Sequence, residues 1–367
     1  MSLATASLFS PLKLAGTSEI KNRFVKGACQ EGLATALNDP SQQLDELYGR
    51  WSLGGSAIIV SSTAWINRSE TIPNGDLVLD AESDMVAYRR LAKAGQNNNS
   101  QCWLQLGYHC APSDPSINDL SSDRMMAVIQ EFVQASQRAE LAGFAGIQIA
   151  AHSGHFLGDS LDGTLNQRSD MWGGDGGRRA SLVVAILTEI RKTVQPTFLV
   201  NLTLDVTALA SDDSDRESTK QFIRLLDQQV DSLQLIGEWS LELLAERFAQ
   251  TAIIGSGETL FSQQDAKVPD ADQFDLIAFD HQCALMPDLP EKMLANPQFQ
   301  WPSAWPTGQG HTASASSKLI QWYQDQMYLL SMGEQSHPAA GKFTLGLRVA
   351  LLRWRSERSR RRLFGYR

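Results

Sequence analysis

Cysteine is scarce in this chain, and the little there is lies scattered. Cys29, Cys102, Cys110 and Cys283 are the only four in 367 residues, and no two form a CxxC pair. That spacing excludes the common zinc patterns and a disulfide framework. Positive charge is also short: 32 lysines and arginines stand against 41 aspartates and glutamates, a net charge of −9. Binding a phosphate backbone needs a basic surface, so no nucleic-acid partner is expected. No apolar run approaches the roughly 20 residues of a membrane span, and the N-terminus has no charged-then-apolar leader pattern. The expectation is a soluble, cytoplasmic protein with no membrane partner. The first strand-like run is not followed by G-x-G-x-x-G, and "GSG" at 255–257 is too short to replace it. This argues against a doubly wound, dinucleotide-binding sheet.

Alternation is what the chain does have. Short apolar runs, several rich in β-branched and aromatic residues, read as strands: "FVKGA" (24–28), "AIIVSS" (57–62), "CWLQL" (102–106), "GIQIA" (146–150), "FLVNL" (198–202), "DSLQLI" (231–236), "TAIIG" (251–255) and "DLIAF" (275–279). Helical patterns separate them. The clearest is "MMAVIQEFVQASQRAELAG", with apolar residues at helical spacing and a closing glycine. Strand–helix pairs in series, with no internal repeat or linker, predict an α/β fold of the (β/α)8 TIM-barrel type. The expected organisation is one domain over residues 1–367, with the barrel over about 20–300 and a C-terminal helical extension over about 313–367. The arginine-dense end, "LLRWRSERSRRRLFGYR", reads as a solvated helix face, with a tail for lipid or acidic partners as the alternative.

In such a barrel, function sits at the C-terminal ends of the strands. The side chains there that can titrate are His109, His152, His155, Asp205, Asp280 and His281. His152 and His155 alone are not a metal signature, because no third ligand stands at fixed spacing, and no metal site is expected.

The segment "LFSPLKLAGTSEIKNRFVKGACQEGLA" (8–34) resembles the N-terminus of old yellow enzyme-type NADH:flavin oxidoreductases, as do "RWSLGGSAIIVSS" (50–62), "CWLQL" and "AELAGFAGIQI" in their places. "LNQRSDMWGGDGGRRA" (165–180) is similar to that family's N-x-R-x-D-x-[YW]-G-G block. The resemblance implies an FMN-dependent barrel that passes hydride from NAD(P)H to an activated alkene or similar acceptor. It also implies that a His-x-x-His or His-x-x-Asn pair after the fourth strand holds the substrate's oxygen. Counted back without gaps from Asn166, Arg168 and Asp170, that pair falls on Ala150 and Ser153, with His152 and His155 two positions further on. Tyr108, His152 and His155 are the candidate catalytic residues, Tyr108 because a phenol can protonate a carbanion.

The cofactor positions implied by the resemblance are Ala28, Gln30, Gln105, Asn201, Ser256, Gly257, Asp280 and His281. Asn201 stands where the family has a lysine or arginine near the flavin, and Asp280-His281 stands where it has Gly-Arg near the phosphate. Both changes remove positive charge from a site for an anion, predicting weak FMN binding, and Ala150 and Ser153 lack the paired donors that polarise a substrate carbonyl, predicting low turnover. The alternative is a flavin-free homologue that binds a small molecule or a protein. The expected partner is a small-molecule substrate; a homo-oligomer and the choice between NADH and NADPH remain open.

Overall fold

The structure, a computed structural model, describes residues 7–14, 19–110, 116–205, 221–227, 229–236, 250–256, 274–296, 299, 317–336 and 345–352. Eight parallel strands form the barrel: β1 (Phe24–Lys26), β2 (Ile58–Trp65), β3 (Gln101–Gly107), β4 (Gly146–Ala151), β5 (Leu199–Asp205), β6 (Ser232–Ile236), β7 (Ala252–Ser256) and β8 (Leu276–Phe279). Each pairs with its successor, and β8 closes the circle by pairing Ile277 with Phe24. All eight strand-like runs of the sequence therefore become barrel strands.

The described helices are α1 (Gln42–Leu53), α2 (Met85–Ala94), α3 (Ser122–Leu141), α4 (Phe156–Leu161), α5 (Gly176–Thr193), α6 (His281–Leu285), α7 (Leu289–Ala295) and α8 (Ser317–Ser331). Their starts are legible in side chains. Ser41, Asp84, Ser121 and Asp175 each accept a hydrogen bond from a free N–H of the first turn of α1, α2, α3 and α5. Residues 221–226 and 345–352 are also helical. The arginine-dense stretch beyond 352 lies outside the described residues.

Alternation along the strands divides the core. One face of the sheet meets the helices, with Leu44, Leu47, Tyr48, Trp51, Phe132, Leu182 and Ile186 packed against Ile59, Leu104, Ile147 and Val200. The other fills the barrel with Val25, Ile58, Val60, Trp103, Leu199, Ile254, Leu276 and Ala278. Ile20 of the antiparallel pair Leu12–Lys13 and Glu19–Ile20, and Leu14 just after its first strand, join this inner cluster. The apolar filling stops one layer below the mouth, where the inward positions turn polar.

Candidate functional site

That polar layer is built by register. Gln105 on β3 pairs with Gln148 on β4, and Gln148 with Asn201 on β5. On β2, an irregularity between Val60 and Thr63 shifts the register so that Thr63 comes level with Gln105. Such a bulge re-aims a side chain at a strand end, and it carries β2 on to Trp65, past the end expected at residue 62. The amides bond in one direction. The Thr63 hydroxyl donates to Gln105 Oε1 at 2.6 Å, Gln105 Nε2 to Gln148 Oε1 at 2.8 Å, and Gln148 Nε2 to Gln234 Oε1 at 2.9 Å. Asn201 donates to the Ile147 carbonyl and accepts from Ser232. A buried amide costs free energy unless both its ends are bonded, and here they bond one another.

The cap over this layer comes from the turn after β4. His155 N–H donates to the His152 carbonyl at 3.0 Å, and Gly154 takes φ +84°. A turn with a left-handed third residue favours glycine there. It folds the two imidazoles together, 4.1 Å between centroids. His155 Nε2 lies 3.1 Å from Thr63 Oγ1, and its ring stacks on Trp65 at 5.6 Å and 22°. Trp65 Nε1 donates to Asp76, which also accepts from Gln30 Nε2. Burial, and then the charge His152 can carry, hold the His155 imidazole well below the usual histidine range, so it is neutral.

Ala28, Cys29, Gln30, Ser62, Thr63, Trp65, Asp76, Gln105, His152, Gly154 and His155 line one cavity of about 300 Å³. Behind its wall, Lys26 and Glu31 form a fully buried ion pair at 2.9 Å. Glu31 also accepts from the Tyr48 hydroxyl and the Ser62 N–H, and the Lys26 ammonium sits 4.0 Å from the Trp51 ring centroid. Burial lowers the Lys26 pKa, but the Cys29 sulfur and the Glu31 carboxylate more than offset it, and the net direction is up. Burial pushes the Cys29 thiol up to about 12. Lys26, Glu31, Thr63, Trp65 and Asp76 were not singled out by the sequence. A lysine inside the apolar run "FVKGA" was the signal available for the first.

Of the residues singled out, Ala28, Gln30, Gln105, His152 and His155 meet in this cavity. Ala150 is buried in β4, and Ser153 is exposed and bonds Asp205. Tyr108 is not among the lining residues: its phenol accepts from Arg124 and its ring packs on Phe156. Asn201 is buried in the amide layer, and Asp280 is buried so close to Gly27 that a Cβ there would meet its Oδ1 at 1.7 Å. The side chains of Ser256 and His281, and all of Gly257, lie outside the described residues. The 165–180 block holds its own loop together. Asn166 donates to the Ser160 and Trp172 carbonyls, and Arg168 to Asp170 and the Ile117 and Leu120 carbonyls.

The family model described as NADH:flavin oxidoreductase / NADH oxidase matches residues 114–274. The "NADH-dependent flavin oxidoreductase iliE" of Neonectria sp. (strain DH2) is 25% identical over 267 residues, 62% of this chain and 35% of that protein. The protein of the same name from Hypocrea jecorina is 23% identical over 235 residues, 53% of this chain and 59% of that one. The chain thus spans between a third and three fifths of the length of these curated relatives. The solved old yellow enzyme homologue from Zymomonas mobilis shares the fold, with a TM-score of 0.67 at 17% identity over 79% of this chain and 92% of that one. FMN, with NAD(P)H as reductant, is the cofactor pairing this family implies.

The lining of this cavity, with Trp65 beside the polar side chains, fits the ring end of FMN. Ala28, Gln30 and Gln105 line a single cavity with Ser62 and Thr63, giving polar edges and an aromatic wall for a flat heterocycle. Asp280, at the position the resemblance assigns to the phosphate, is a buried carboxylate, and Asn201, at the position it assigns to a cation beside the flavin ring, is an internally bonded amide.

Proposed function

We propose that this chain, a divergent relative of the old yellow enzyme-type NADH:flavin oxidoreductases, reduces a small activated alkene or similar carbonyl-bearing acceptor at the expense of NAD(P)H. In net terms, NAD(P)H and a proton from water convert the alkene to its saturated product and NAD(P)+. Loosely bound flavin supplies the hydride-carrying chemistry. Ala28, Gln30 and Gln105 are the residues that would hold its ring. The acceptor's oxygen is held at the His152–His155 pair, which replaces the positions at Ala150 and Ser153. Trp65 walls the cavity and keeps water from the face of His155.

The observation that carries this reading is the convergence of both imidazoles with Gln105 on one cavity. One observation favours a second reading, small-molecule binding without flavin: Gln105 already bonds at both ends of its amide.

An FMN fluorescence titration separates the two. Losing one charge-assisted hydrogen bond costs about 1.5–3 kcal/mol. Two independent losses weaken binding by about 10²–10⁴ relative to a site that keeps both cations. Saturable but weak quenching is expected, strengthened in the double variant Asp280→Gly, His281→Arg. The absence of saturable quenching in both proteins would contradict the flavin reading and favour the second.

A further inference from the structure

The direction of the amide chain has a consequence at the mouth. A threonine hydroxyl has one proton. At 2.6 Å from Gln105 Oε1, the Thr63 proton is committed to that bond, so toward His155 Nε2 at 3.1 Å Thr63 can only accept. Nε2 must then carry the hydrogen. A neutral imidazole has one ring proton, which leaves Nδ1 bare. Nδ1 is enclosed and meets no hydrogen-bond partner among the described residues, as a group with no proton to donate can best tolerate.

The polarity is collective. Each amide accepts at its oxygen and donates at its nitrogen, so one reversed member would set N–H against N–H or oxygen against oxygen at about 2.8 Å. Either Thr63, Gln105, Gln148 and Gln234 all run as seen, or all reverse together. In the reversed chain Thr63 accepts from Gln105 and donates to His155, and the ring proton moves to Nδ1. The barrel's inner layer therefore has two discrete settings, and the setting reads out as a tautomer at the mouth.

We propose that Thr63, oriented by the Gln105–Gln148–Gln234 chain, is a positioning residue that fixes His155 as its Nε2–H tautomer. His155 is then a brace, and His152 is the member of the pair that meets a ligand oxygen. This division of roles rests on the function proposed above; the tautomer does not.

The test is long-range proton–nitrogen NMR of histidine-labelled protein at neutral pH, with the His155 signals assigned from a His155→Gln variant. His155 is expected to show a protonated Nε2 and a bare Nδ1. Thr63→Ser, which keeps the hydroxyl, should preserve that pattern, and Thr63→Val should lose it to a mixture of both tautomers. A wild-type protein with the proton on Nδ1, or a Thr63→Val protein with the wild-type pattern, would overturn the proposal. If Thr63→Val fails to fold, Gln148→Leu breaks the chain one link further in and is read the same way. Adding cyclohexenone separates the two claims: a shift confined to His152 supports the division of roles. A shift centred on His155 would overturn it. No shift in either would count against the site reading while leaving the tautomer standing.

Discussion

The carbonyl oxygen of His152 lies 2.0 Å from where a Cβ on Gly158 would sit, and its carbonyl carbon 2.3 Å away. The first helical turn after the histidine pair therefore packs directly on the backbone that sets the pair's spacing. Gly158→Ala must move one or the other, because the clashing atoms are main chain. We expect a loss of about 1–3 kcal/mol in stability, together with loss of any cyclohexenone-induced shift in melting temperature. Unchanged stability and ligand response would show that the pair does not depend on this contact.

His155 also gives stability a pH signature. Its folded pKa is held well below the ordinary value of about 6.5, so above that pH it is neutral folded or unfolded and contributes nothing to the difference. Below it, the unfolded chain takes up a proton that the folded chain refuses, and stability falls by up to about 1.4 kcal/mol per pH unit. Urea titrations of the wild type and His155→Gln between pH 7 and 5 should show the steeper loss in the wild type. Parallel curves would mean that the ring is protonated in the folded protein.

The Lys26–Glu31 pair is a structural liability if broken. Glu31→Gln keeps the shape but leaves the Lys26 ammonium buried without its counter-charge, which costs about 3–5 kcal/mol. Replacing both, as Lys26→Met with Glu31→Gln, should cost less than Glu31→Gln alone. Equilibrium unfolding of the two variants checks the ordering.

The strand-length apolar runs made the barrel legible because a closed parallel sheet must bury both faces of every strand. The mouth was legible only in part. Gln105 and His155 can be named from a sequence, but their meeting through Thr63 depends on a bulge in β2, which no apolar run announces. Counting along the chain from the 165–180 block placed the oxygen-holding pair on Ala150 and Ser153. The turn closed by Gly154 instead brings residues 152 and 155 over the cavity. Lys26 was hidden for another reason: its partner Glu31, five residues on, lies past the end of the strand, where strand alternation no longer predicts which way a side chain faces.

The central claim is that the His152–His155 pair works where Ala150 and Ser153 cannot. The direct measurement is NADH- or NADPH-driven reduction of cyclohexenone with saturating FMN, comparing wild type, His152→Ala and Ser153→Ala. We predict detectable turnover in the wild type, a fall of about 10²–10³ in His152→Ala, and no more than a small change in Ser153→Ala. No turnover in the wild type at saturating FMN, or equal rates in all three proteins, would contradict the account.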